Sequence, residues 1–557
     1  MGDSYILGIT DGHNSSASLI ADNKIIGAIS EERFLRIKNY RGFPKYSINY
    51  ILKEHLKDNS VDFITVGGLF RKSSRLKEIL SIGNQLDKPI LYFNHHQCHS
   101  SHYLMSNFKE CLIITMDGAG DSLSSTISIG NSKKGVELIG QSSFLDSVGD
   151  FYASITESLG FKPMEDEGKV MCLSSYHNNK DIDIDLNNVI DYLPSQRTFK
   201  NYLGVVGFES TKLLKKLFKL KNLNPKKFED KIKISKWAQD TLEKVVLKMV
   251  DSFSREYGIK NIVLSGGVFQ NVKLNMVIRD RGYDIFVSPF SGDEGLSVGS
   301  SLLLNNKPII LKDTYLGYAI NNETIEKMFG MDKDKSNKNN NCNNLDKINK
   351  NNINNNIIDN NKNNIDKLIN KFKKKYSIKY IEDKDIYEVI GDIILNGNIV
   401  SMCRGRMEFG PRALGNRSIV ALPTEKNKDK LNKLLKRDFF MPFAPTIIYD
   451  YADEYMVNSK YSPFMTELFK VYDDKVKDIR GVIHIDNTTR PQTLIRETNN
   501  IYYNTINHIY ENNNIPLLLN TSFNKHGEPI VCTEYDAIKS FVGDYLLLGN
   551  YLIKRRT

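Results

Sequence analysis

Four of the ten histidines fall within eight residues, His95-His96-Gln97-Cys98-His99-Ser100-Ser101-His102. If a helix begins after Asn94, His95 and His99 stand at i and i+4 on one face, with His102 three residues further on. That spacing lets two imidazoles meet one metal ion, with the remaining ligands drawn from distant segments. Residue 96 is His and not Glu, which excludes the H-E-x-x-H site of a zinc peptidase, because its general base is missing. A second concentration of chemistry lies between 404 and 418, where Arg404, Arg406, Arg412 and Arg417 alternate with three glycines. Arginine forks onto oxygens bidentately and glycine permits close approach, so this loop reads as a cradle for phosphates.

Smaller motifs surround these two. Asp11-Gly12-His13 and Asp117-Gly118-Ala119-Gly120-Asp121 each join two apolar runs, and an Asp-Gly loop offers a carboxylate and backbone N–H groups to phosphate oxygens and their metal. Ser265-Gly266-Gly267-Val268 follows a strand and precedes a helix, as a turn lying flat against a nucleotide would. Asp293 sits in Ser291-Gly292-Asp293-Glu294-Gly295, Lys436 and Arg437 end a helix, and His484 to Gln492 includes Arg490. Asn520-Thr521-Ser522-Phe523-Asn524 reads as a small-polar turn suited to anions. Arg33, Arg36, Lys38 and Arg41 form a basic stretch that reads as a solvated face unless it meets an anion.

The elements that position these residues follow from periodicity. Tyr5–Thr10, Ala17–Ala21 and Lys24–Ser30 read as strands, and so do Cys111–Met116, Thr126–Ile129 and Val136–Gly140. The two sets share the order strand, Asp-Gly loop, strand, turn, strand, an internal repeat that resembles actin-like ATPases and sugar kinases. Pro89–Phe93 reads as a buried strand leading into the histidines, and Asn261–Leu264, Phe269–Arg281 and Tyr283–Ser288 as a βαβ unit. Residues 176–235 read as a helical elaboration with little chemistry, and Trp237–Tyr257 as a helix ended by Gly258. Asp383–Leu395 is expected helical and Ile515–Leu519 a buried strand.

With 557 residues the chain divides into several domains. No apolar run has the ~18 residues of a membrane span, and no leader is expected, so a cytoplasmic protein is anticipated. The six cysteines lack C-x-x-C spacing, which argues against zinc knuckles and disulfides. Net charge is +10, but residues 331 to 376 carry eleven Lys against five Asp, so most of the excess lies there. A nucleic-acid surface is therefore not expected. Residues 331–370 are dominated by Asn and Lys and cannot bury enough apolar surface to fold alone.

Taken in order, the motifs resemble the NodU/CmcH family of O-carbamoyltransferases. The resemblance runs through Ile9–Ala17, Glu31–Pro44, His95–Ser101, Met116–Asp121, Glu167–Met171, Ser265–Asn271, Ser291–Gly295, Gly405–Ser418, Arg437–Pro445, His484–Gln492 and Asn520–Glu528. It implies a two-domain α/β fold: an actin/sugar-kinase-like duplicated domain over 1–320, a low-complexity insertion over 321–376, and a YrdC-like domain over 377–557. It implies that the C-terminal domain uses carbamoyl phosphate and ATP with Mg to form carbamoyl-adenylate, and that the N-terminal domain passes the carbamoyl group to a hydroxyl of a small-molecule acceptor, such as a secondary metabolite in biosynthesis.

The resemblance also assigns residues. His95, His99, Asp117 and Asp293 match the metal ligands, with Fe(II) favoured and Mn or Zn compatible. Gly12, Gly118, Gly266, Gly267, Val268 and Asn271 would hold the nucleotide. Arg406, Arg412, Arg417, Lys436, Arg437, His484, Arg490, Asn520, Thr521, Ser522, Phe523 and Asn524 would take carbamoyl phosphate and ATP. His13 is the candidate general base, with Lys38 as a phosphate or oxyanion partner. Two departures stand out: Leu435 occupies a position where the family often has Lys, and His102 one where it usually has a small residue. A threonylcarbamoyl-type tRNA-modifying enzyme and a non-catalytic ATP-binding scaffold remain as other readings.

Overall fold

The computed structural model describes residues 4–56, 60–70, 72–177, 189–331 and 367–556. Two five-stranded sheets organise the N-terminal half, and they share one topology. The first has the order Lys24–Ser30, Ser16–Ala21, Ile6–Thr10, Phe63–Gly67, Ile90–Phe93. The second runs Gly135–Ser143, Leu123–Asn131, Glu110–Gly120, Asn261–Ser265, Asp284–Val287. In each, three strands form an antiparallel meander and two more add in parallel beyond the first, with Ile6 opposite Ile20 and Phe63, and Leu112 opposite Ile129 and Ile262. The repeat expected from the two Asp-Gly loops is thus a duplication of whole sheets.

The helix Leu296–Asn305 leans on the first sheet and on the short helix His95–Ser100. Its run of Gly and Ser permits this: a Cβ at Gly299 would lie 2.3 Å from the Cys98 carbonyl oxygen. The same helix therefore holds Asp293, just before its start, against the histidines. The long helix is Phe228–Tyr257, nine residues longer at its N-terminus than periodicity predicts. Residues 176–235 also contain a strand ribbon, Ile190–Leu193 with Thr198–Asn201, and the part of that stretch over 178–188 lies outside the described residues.

The C-terminal half is built on one eight-stranded sheet, ordered Tyr376–Tyr380, Tyr551–Arg555, Tyr545–Leu548, Val400–Cys403, Arg417–Ala421, Leu517–Ser522, Ala444–Ile448, Gln492–Leu494. Side chains alternate across it: Leu517, Leu519, Ile419 and Leu548 enter one core with Leu431 and Ile538. Leu518, Val420 and Leu547 enter another with Ile386–Leu395 and Asn500–Asn513. Both faces are covered, which is why these strands read as continuous apolar runs.

Several expectations change. Ile90–Phe93 is half-buried at a sheet edge. Asn520 to Ser522 are not a turn but the end of a strand, paired with Val420 to Ser418. Both ends of the expected insertion 321–376 belong to the C-terminal core: Ile325 and Phe329 of the helix Asn322–Phe329 pack with Ile369 and Phe372. Residues 332–366 of that tract lie outside the described residues.

Candidate functional site

Asn94 caps the helix His95–Ser100, its side chain accepting the His96 N–H, while Asp121 Oδ2 accepts the His95 N–H at 2.7 Å. The helix so placed turns His95 and His99 inward. Asp117 arrives from a bulge where the strand Glu110–Gly120 loses register with its neighbour. Its Oδ1 accepts the Gly267 N–H at 2.6 Å, and its Oδ2 lies 3.0 Å from His99 Nε2 and 3.3 Å from His95 Nε2. Asp293 Oδ1 is 3.9 Å from His95 Nε2. Ser16 Oγ donates to the Glu294 carbonyl oxygen and ties this turn to the first sheet.

One donor atom from each of His95, His99, Asp117 and Asp293 lies within 4.8 Å of the others. The set fits a divalent cation. His99 Nε2 is buried with no polar neighbour among the described residues but the Asp117 carboxylate, whose Oδ2 stands 3.0 Å away. Burial alone would lower His95, but the Asp117 hydrogen bond and the Asp293 charge outweigh it and hold the ring at about 9. Burial would raise Asp117, yet His99 and His95 drive it well below the usual carboxylate range. A cluster that stabilises positive charge this way suits a cation held by two imidazoles and two carboxylates.

His96 and His102 take other roles. Burial pushes both down to about 3. His96 Nδ1 is 2.7 Å from Thr115 Oγ1, and His102 contacts Ser265 Oγ and the Gly295 carbonyl oxygen. His13 is bridged to Arg41 beside this cluster, and its pKa is lowered by burial, against the pull of Asp293 and with help from Arg41. Lys38 is exposed.

The nucleotide set is divided. Gly118 has open space around it, and a Cβ at Gly12 would meet only the Arg75 guanidinium, at 3.8 Å. Gly266 has φ 102°, and a Cβ there would stand 2.2 Å from the Met116 carbonyl oxygen, so only glycine lets this turn approach the strand. The Gly267 N–H is occupied by Asp117, so the turn positions a carboxylate. Val268 is half-buried beside it. Asn271 is corrected from ligand to cap: its side chain accepts the Leu274 N–H and pairs with Gln239.

The arginines separate more sharply. Arg417 is fully buried and donates to the carbonyl oxygens of Cys532, Arg404, Asn416 and Tyr318. Arg406 donates to those of Gly317, Ile26 and Leu316. Both were expected at phosphates. Their donors are instead consumed, Arg417 in shaping the loop and Arg406 in joining it to the N-terminal half.

Arg412, Arg437 and Arg490 differ. None has an ion-pair partner among the described residues, and the Nε atoms of Arg437 and Arg490 are buried without a hydrogen bond. Burial lowers all three, Arg412 to about 10, and Arg412 and Arg437 lower Arg490 further by repulsion. An anion relieves such a cluster. His484 lies beside it, with Nδ1 3.6 Å from Asp486 and its ring against Tyr176. Arg412 also lines a small cleft with Phe269, Gln270, Val272 and Ser291, so this arginine adjoins the segment that follows the glycine turn of the other half.

Other expected anion contacts give way. Lys436 is an exposed left-handed helix cap, and Leu435 is buried in the core. Phe523 is core. Asn520 donates to the Ala413 carbonyl oxygen and to Thr446, bracing the loop from behind, and Asn524 closes its own turn through Lys525 and Glu528. Thr521 and Ser522 are half-buried at the strand end.

Sequence reasoning passed over Glu408, whose Oε1 accepts the Leu414, Asn416 and Arg417 N–H groups. It is the only acid between Arg404 and Ser418, which was a usable signal. Arg33 and Arg36, read from the sequence as part of a solvated basic face, instead donate to the carbonyl oxygens of Gly410, Pro529 and Ile530 across the two halves.

The Carbamoyltransferase N-terminus family model matches residues 5–76 and 68–302, and the Carbamoyltransferase C-terminus model matches 391–555. An uncharacterised protein of Methanocaldococcus jannaschii is 52% identical over 99% of both chains. Nodulation protein NolNO of Sinorhizobium fredii is 29% identical, covering 98% of this chain and 79% of its own. Nodulation protein NolO of Bradyrhizobium diazoefficiens is 30% identical, covering 83% and 79%. The duplicated sheets carrying the four-donor cluster and the single sheet carrying the arginines coincide with the two family segments, and the chain belongs to the NodU/CmcH family of carbamoyltransferases.

Proposed function

We propose that this carbamoyltransferase is ATP-dependent and works in two half-reactions on its two halves. In the C-terminal half, water attacks the phosphorus of carbamoyl phosphate, the P–O bond to the carbamoyl group breaks, and inorganic phosphate leaves carbamate behind. The carbamate oxygen then attacks the α-phosphorus of ATP, giving carbamoyl-adenylate and pyrophosphate. The observation that carries this reading is the cluster of Arg412, Arg437 and Arg490, half-buried together with no carboxylate paired to them among the described residues, an arrangement that anionic substrates would relieve. Three preorganised guanidinium groups also stabilise the charge that develops on a transferring phosphoryl group.

In the N-terminal half, an acceptor hydroxyl attacks the carbamoyl carbon, the anhydride bond breaks, and AMP leaves. His13, kept neutral by burial, takes the hydroxyl proton. His95, His99, Asp117 and Asp293 hold a divalent ion, whose Lewis acidity would polarise the adenylate oxygens. The acceptor is a small hydroxylated molecule.

The test is pyrophosphate release from ATP. Release that requires carbamoyl phosphate, and that precedes transfer, supports the reading. ATP turnover indifferent to carbamoyl phosphate would overturn it.

A further inference from the structure

His102 and Ser265 lie outside the four donors, yet they form a continuous chain with one of them. His102 Nε2 is 3.2 Å from the Gly295 carbonyl oxygen, Ser265 Oγ is 2.9 Å from His102 Nδ1, and His99 Nδ1 is 3.0 Å from the same Ser265 Oγ. All three side chains are fully buried, so no water competes for these atoms.

The direction of each bond follows from one end. A carbonyl oxygen only accepts, so His102 carries its proton on Nε2. The neutral ring then offers a bare Nδ1, which accepts the Ser265 O–H. With its proton committed, Ser265 Oγ accepts from His99, which places the His99 proton on Nδ1. His99 Nε2 is left with its lone pair free, and it is this atom that faces Asp117. With both imidazoles neutral, as metal ligation requires of His99, every other assignment of protons along the chain puts two donors or two acceptors face to face.

We infer that His102 and Ser265 are positioning residues that fix His99 in the Nδ1–H tautomer, so that Nε2 is presented as a metal ligand. The relay rests on the reading of His95, His99, Asp117 and Asp293 as a metal site. It also joins two ligand-bearing segments, since Gly295 lies two residues beyond Asp293 and Ser265 precedes the glycine turn that orients Asp117. Partners of this kind orient a ligand imidazole and raise its basicity.

The experiment uses the full chain stripped of divalent ions and titrated with Co(II), followed by visible absorption and by competition with a chelator. Wild type is expected to bind one Co(II). Ser265→Ala and His102→Leu are expected to bind on the order of 10- to 100-fold more weakly, with displaced absorption bands. His102→Gln retains near wild-type affinity, because its amide N–H can donate to Gly295 and its carbonyl can accept from Ser265. Far-UV circular dichroism and thermal melting establish that each variant is folded. A folded Ser265→Ala with wild-type affinity and spectrum overturns the relay, and so does a lowered melting temperature with both unchanged. Wild type taking up no Co(II) overturns the metal reading itself and the relay with it.

Discussion

Asp117 Oδ1 accepts a 2.6 Å hydrogen bond from the Gly267 N–H, and this bond aims Oδ2 at His95 and His99. The residue before the donor, Gly266, is held at φ 102° with its α-carbon against the Met116 carbonyl. Gly266→Ala is therefore expected to move the turn and misdirect the carboxylate. The loss of stability should be about 2–4 kcal/mol, from backbone strain and the clash together. Thermal denaturation and divalent-ion titration should both respond, and a variant that melts and binds as wild type does would refute the packing argument.

His99→Ala separates the two half-reactions. Carbamoyl phosphate-dependent pyrophosphate release should persist, because the arginine cluster lies on the other sheet. Carbamoyl transfer to an acceptor hydroxyl should be lost, as read by the carbamoyl mass gain of the product. Loss of both activities in a folded variant would place the four-donor cluster in the wrong half-reaction.

Arginines a few residues apart should fail in different ways. Arg412→Gln and Arg490→Gln remove unpaired charge, so pyrophosphate release should fall on the order of 10²- to 10³-fold while the fold persists. Arg417→Gln leaves several buried carbonyls unpaired. It should cost about 2–4 kcal/mol in denaturant unfolding, whatever its effect on turnover. An Arg417→Gln variant with wild-type stability would return Arg417 to the list of phosphate ligands.

His13 predicts a pH profile. Burial lowers its pKa below the ordinary 6.5. A base with a depressed pKa stays unprotonated to lower pH, so the transfer step should hold its rate as pH falls through 6.5 and decline only below it. His13→Asn should remove that acid limb and slow transfer by roughly 10²- to 10⁴-fold, with pyrophosphate release unaffected. Full transfer activity in His13→Asn would dismiss the assignment.

The sequence by itself determined the strands, the duplication and the donor types. Local periodicity decides strand from helix, as in Leu517–Leu519 and Ile386–Leu395, and the His95/His99 spacing needs only one helical turn to matter. The recurrence of Asp-Gly loops was legible because each half of the duplication repeats the same local grammar. What only the tertiary structure decided was which charged groups are free. Arg412 and Arg417 stand in one loop and look alike in sequence. Arg417 meets carbonyls from residues about a hundred positions away on either side, whereas Arg412 faces the cleft. Asn271 became a cap and Lys436 an exposed helix end for the same reason. A donor's availability depends on the partners that folding brings to it, and those partners lie far away in the chain.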